Sequence, residues 1–171
     1  MSIIARVEQL VAAGKLIHRP SSFLGISARN VILAPEIEAL ARRPFAETPE
    51  GERHAAFAAY LDAFSELNAI TVSQDPNKKP SHTMFARVRP VEDEFWSMRV
   101  NHPEGTAGMR LIGAFCAKDS FVGLVCDFRE QIPSFDDEVS AAKARWTDLF
   151  NEIKPLSGSS LHDYLTNFRE L

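Results

Sequence analysis

The strongest constraint on this chain is a series of four strand-like segments, Met84 to Arg89, Phe95 to Val100, Met109 to Phe115 and Phe121 to Asp127, separated by short turn-rich connections. Parallel neighbours need a crossover of about a dozen residues or more, so these four are expected to form an antiparallel meander. A weaker strand, Ala69 to Ser73, comes before them across the polar loop Gln74 to His82.

Helical periodicity brackets this region. Residues 1 to 68 read as helical: Ile3, Ile4, Val7, Leu10 and Val11 make one apolar stripe that Gly14 is placed to end. A second helix opens at Pro35 and stops before Pro44. The third has Thr48 as N-cap, Pro49 at its first position and Glu50 and Glu52 in its first turn, with Phe57, Tyr60, Leu61, Phe64 and Leu67 on one face. The stretch KLIHRPSSFLGISARNVILA between the first two has no steady period. Residues 128 to 171 return to helix and are acidic: Ser134 with Asp137, or Asp136, caps a helix carrying Val139, Ala142, Trp146, Leu149 and Phe150, and Pro155 ends it. Ser160 and Asp163 start a terminal helix with Leu161, Tyr164, Leu165 and Phe168 on its stripe.

The expected fold is therefore α+β, a single domain over 1–171. A four- or five-stranded antiparallel sheet (69–127) has N-terminal helices before it (1–68) and two C-terminal helices (128–171) packed on its Trp96/Met98/Leu111 face through Trp146 and Phe150. With 45% hydrophobic and 25% charged residues in 171, the chain can bury a core without staples, and disordered, collagen-like and disulfide-dense classes are excluded. Cys116 and Cys126 lie inside apolar strands and read as buried free thiols. No segment approaches the ~18 continuous apolar residues of a membrane span, and the first residues lack a signal-peptide core, so a soluble cytoplasmic protein with no membrane partner is expected.

Alternation along the strands is more informative. Met84, Ala86 and Val88 are apolar, which turns Arg87 and Arg89 to the other face; Trp96, Met98 and Val100 are apolar against Ser97 and Arg99; Met109, Leu111, Gly113 and Phe115 suit the core, which turns Arg110 away. Pairing Val100 with Met109 keeps one face apolar and sets Arg99 opposite Arg110. Like charges opposed on a sheet destabilise by roughly a few tenths of a kcal/mol, so the pattern calls for an acid or a bound anion between them. Either Glu92, Asp93, Glu94, Glu104 or the acidic C-terminal helix pairs with the arginines, or the face is an anion or RNA site suited to phosphate by the guanidinium fork. His102 follows Arg99 closely and is a candidate general base. The five histidines show no metal-ligand spacing, and no phosphate-binding glycine loop or nucleophile elbow occurs, so neither metal nor cofactor is expected.

From Phe85 onward, FWSMRV, GMRLIGAF, FVGLVCDFRE, then Pro133 and DDEVSAAKARW, the chain resembles the RelE/ParE toxin superfamily. The resemblance covers roughly half the chain and implies a small antiparallel sheet with helices on it. It also implies metal-independent RNA cleavage, with RNA or an antitoxin-like protein as partner, and it leaves homo-oligomerisation open. Carried over by position, Arg110 and Arg129 would hold phosphate and transition-state charge and Arg99 would position it; beside them the strand reading offers His102 as proton acceptor and Arg87 and Arg89 as substrate-binding residues. Where the family carries lysines this chain has EQIPSFDDE. Two other readings compete: a noncatalytic interaction module, which that acidity supports, and a small-molecule or anion binder with a pocket between the N-terminal helices and the sheet.

Overall fold

The short connections do produce a meander. In the computed structural model, which describes residues 1–20 and 28–171, β4 (Phe85–Arg87), β5 (Phe95–Val100), β6 (Met109–Ala117) and β7 (Ser120–Phe128) pair antiparallel in chain order. The anticipated register is also present, with Val100 opposite Met109, Met98 opposite Leu111, Trp96 opposite Gly113 and Arg99 opposite Arg110.

The sheet is much larger than a four- or five-stranded antiparallel one. It has eight strands in the order β1 (Ile17–Arg19), β2 (Asn30–Leu33), β7, β6, β5, β4, β3 (Ile70–Ser73) and β8 (Phe168–Glu170), mixed in direction and curved into a half-barrel. Strands β1 (Ile17–Arg19) and β2 (Asn30–Leu33) come from the stretch without steady period, so residues 1 to 68 are not wholly helical. Their apolar runs are too short for two helical turns, and β2 has a ready edge, lying parallel to β7 with Val31 beside Phe121. Strand β3 (Ile70–Ser73) runs parallel to β4, because the polar loop carries the chain back before pairing begins. Residues 21–27 lie outside the described part.

The helices α1 (Ile3–Ala12), α2 (Pro35–Leu40), α3 (Pro49–Ser65) and α4 (Phe135–Phe150) begin where their caps and prolines indicate. Thr48 Oγ1 accepts the Gly51 N–H at 3.1 Å, and Ser134 Oγ accepts the Asp137 N–H at 3.2 Å. The terminal helix is one turn, α5 (Leu161–Tyr164), and Phe168 belongs instead to β8 (Phe168–Glu170), parallel to β3. Leu165 is already extended at ψ 149° and Asn167 takes φ 49°, so the chain leaves the helical stripe before Phe168.

Both faces of the sheet are apolar, and this decides where the helices sit. One face holds Phe85, Trp96, Met98, Leu111, Phe115 and Phe121, covered by Phe57, Leu61 and Phe64 of α3 and by Tyr164. The other holds Val88, Phe95, Ile112, Ala114, Val122 and Leu124, covered by Val7 and Leu10 of α1 and by Val139, Ala142, Trp146 and Phe150 of α4. Trp146 and Phe150 therefore pack on the face opposite Trp96, Met98 and Leu111, contrary to the expectation. The even positions Ile112, Ala114 and Cys116 of β6 form a second apolar row, which α1 and α4 cover. No described helix is long and apolar enough to cross a membrane.

Candidate anion site on the sheet

The second face loses its apolar character at one end, where Ser97, Arg99 and Arg110 replace hydrophobic residues. Arg99 donates its backbone N–H to Met84 O at 2.7 Å, toward β4. Its pairing with Arg110 on the other side is therefore a non-hydrogen-bonded pair, the closer kind, with Cα atoms about 4.5 Å apart. Two guanidinium stems start side by side on the same face.

Two other cations join them. Arg129 follows the end of β7, where its N–H donates to Gly108 O at 3.0 Å beside the start of β6. Lys79 comes from the polar loop, whose carbonyls are tied to β5 and β3: Arg99 Nη1 donates to Pro80 O at 3.1 Å, and Thr71 Oγ1 donates to His82 O at 2.6 Å. Lys79, Arg99, Arg110 and Arg129 line one pocket of about 280 Å³ with Ala86, Ser97 and Phe135.

Among the described residues none of the four has a carboxylate within ion-pair distance. Elsewhere Arg19, Arg29, Arg42, Arg53, Arg87, Lys143 and Arg145 are paired with acids, and other cations such as Arg6 and Arg169 also lack an ion pair among the described residues; what sets these four apart is that they share one pocket. Each guanidinium has five N–H donors, yet Arg110 uses one on Met109 O at 2.8 Å and Arg129 one on Ile132 O at 3.3 Å. Asp127 stands opposite Arg110 in the register, but its carboxylate turns back to accept the Phe128 N–H at 2.7 Å.

The charges disturb one another. Burial, and then the guanidiniums of Arg99 and Arg129, pull Arg110 down to about 10. Burial lowers Lys79, and Arg99, Arg89 and Arg110 push it further the same way, partly offset by Asp75. Burial alone lowers Arg99. At the floor, Ser97 is 2% exposed and its Oγ is buried without a hydrogen-bond partner. An unsatisfied buried hydroxyl costs roughly 1–3 kcal/mol, so the site holds unspent polar capacity of both kinds, charge and hydroxyl.

Of the arginines singled out from sequence, Arg99, Arg110 and Arg129 gather and Arg87 does not. Phe85 pairs with Met98 and Arg87 with Trp96, so Arg87 lies on the opposite face. There it sits 5.5 Å from the Trp96 ring and 5.7 Å from Tyr164, ion-paired to Glu94, which also accepts the Tyr164 hydroxyl at 2.6 Å. Reading Ala86 and Val88 as the core row beside Trp96 inverted this strand, because the second face is apolar too. Arg89 lies beyond β4, exposed, and donates to Asn77 Oδ1. His102 rests its ring against Tyr60 of α3, with centroids 5.9 Å apart, and does not line the pocket.

Lys79, Ser97 and Phe135 were not nominated from sequence. Ser97 carried a signal, since it alternates with Arg99 on one strand face; Lys79 stood in a polar loop with no register to place it. Neither family models, nor curated proteins, nor solved structures provide a match to this chain.

Proposed function

We propose that this protein binds a compact, multiply charged oxyanion, a phosphate or diphosphate group, in the pocket of Lys79, Arg99, Arg110 and Arg129. The observation that carries the reading is the convergence of four cations without an acid partner on one pocket of a chain whose net charge is −4. Opposed arginines at the close-paired position are unfavourable in an empty site and favourable around an anion, which accepts several charge-assisted hydrogen bonds at once. The Ser97 hydroxyl supplies a neutral donor at the base.

Binding is favoured over cleavage by the composition of the lining, which includes no carboxylate, imidazole or thiol and has Lys79 alone among the usual proton-transfer side chains. A strand of RNA is less well suited than a compact anion, because single strands are tracked by cations spread along a groove with stacked aromatics. Isothermal titration calorimetry with inorganic phosphate and pyrophosphate, against chloride at matched ionic strength, tests the reading. Pyrophosphate should bind, and Arg99→Ala and Arg110→Ala, shown folded by circular dichroism, should each weaken it at least about tenfold, as expected for loss of a charge-assisted bond. Equal binding by wild type and both variants would refute it. Tighter binding of a single-stranded RNA than of pyrophosphate, lost in the same variants, would move the assignment to RNA.

A further inference from the structure

The cation pocket does not stand alone. Its wall is Phe135, the first residue of α4, half-buried and without a ring-to-ring contact among the described residues. The Lys79 ammonium lies 5.9 Å from the centre of this ring. The next residue, Asp136, lines a neighbouring pocket of about 340 Å³ with Arg89, Pro90, Val139, Ser140 and Lys143. The first turn of α4 thus separates a strongly cationic pocket from one of mixed polarity. Ligand sites of drug-sized molecules start at roughly 300 Å³, so the cation pocket, at about 280 Å³, suits the phosphate end of a larger molecule whose remainder lies outside it.

Resting on the anion reading above, we infer that the anion is the terminal phosphate end of a nucleotide, a nucleoside mono- or diphosphate, whose remaining part extends past Phe135 toward Asp136. Three features of the lining match three parts of such a molecule. The cations and Ser97 hold the phosphates. The exposed part of the Phe135 ring offers a stacking surface for a planar base, an interaction worth about tenfold or more in affinity. The Asp136 carboxylate, exposed and without an ion-pair partner among the described residues, is an acceptor for sugar hydroxyls or a base amine. Inorganic anions would use only the first of these, and an internal phosphodiester presents one charge where four cations converge.

The test compares three probes by calorimetry on the full chain: inorganic pyrophosphate, ADP and ribose 5-phosphate. ADP should bind about tenfold tighter than pyrophosphate, and in Phe135→Leu, which keeps the apolar packing, the ratio of ADP to pyrophosphate affinity should fall to about one, whatever the change does to pyrophosphate itself. Asp136→Asn should weaken ADP and ribose 5-phosphate and spare pyrophosphate. Pyrophosphate and ADP of equal affinity, or a gain that survives Phe135→Leu, would overturn the nucleotide assignment and leave the anion site standing. Binding of none of the three would overturn the anion site itself. A Phe135→Leu chain that fails to fold is replaced by Phe135→Met, read in the same way.

Discussion

At the scale of residues, the arginines of this chain divide into those with carboxylates and those without. Arg110 belongs to the second group, and its folded value of about 10 lies below the ordinary 12.5. Between those values the unfolded chain binds more protons than the folded one, so stability rises as pH climbs through about 10, and at neutral pH the charge opposes folding. Arg110→Met should therefore stabilise the free protein at pH 7, by about 0.5–1 kcal/mol after allowance for screening, while weakening anion binding at least about tenfold. Urea denaturation with and without pyrophosphate measures both; a destabilised variant would show instead that Arg110 supports the fold. Sequence reading reached Arg99, Arg110 and Arg129 because alternation and register are local properties. It did not reach Lys79, whose position depends on how a loop is tethered.

Elements bring these residues together through one turn. Gly108 sits at φ +70° before β6, and a Cβ there would lie 1.8 Å from Val100 O. Its carbonyl accepts the Arg129 N–H and, at 3.0 Å, Arg53 Nη2 from α3. Gly108→Ala should cost at least about 2 kcal/mol from positive φ and the clash, and should weaken pyrophosphate binding because Arg110 follows this turn and Arg129 is hydrogen-bonded to it. Thermal unfolding and calorimetry check the two effects, and a variant matching wild type in both would show that the turn does not set the site. Strand types and helix caps were legible here, since Thr48, Pro49 and Ser134 act on their own neighbours. The helix expected at Ser160 was right for one turn, after which Asn167 redirects the chain.

For the whole molecule, Arg29 links parts far apart in sequence. Its side chain is 0% exposed and donates to Phe64 O at 3.1 Å, Asn68 O at 3.0 Å, Thr166 O at 2.5 Å and Asn167 O at 3.0 Å. Its Nε lies 3.4 Å from Asp119 Oδ1, in the hairpin between β6 and β7, and Asp119 in turn accepts the Thr166 N–H at 2.8 Å. One guanidinium thus joins the end of α3, that hairpin and the C-terminal segment leading to β8. Arg29→Met should cost about 3–5 kcal/mol, leaving Asp119 and four carbonyls short of a donor, and should release β8 first in amide hydrogen exchange. Uniform exchange across the sheet in the variant would contradict this role.

By itself the sequence determined the meander, its register, the pairing of Arg99 with Arg110 and the principal helix starts, because short connections, strict alternation and caps are settled by near neighbours. Only the tertiary structure decided that the sheet has eight strands, that both its faces are apolar and that Arg87 and Arg110 lie on opposite sides. Those outcomes depend on which edges find partners and which side chains reach an acid, and pairings between distant segments leave no periodic trace in either one.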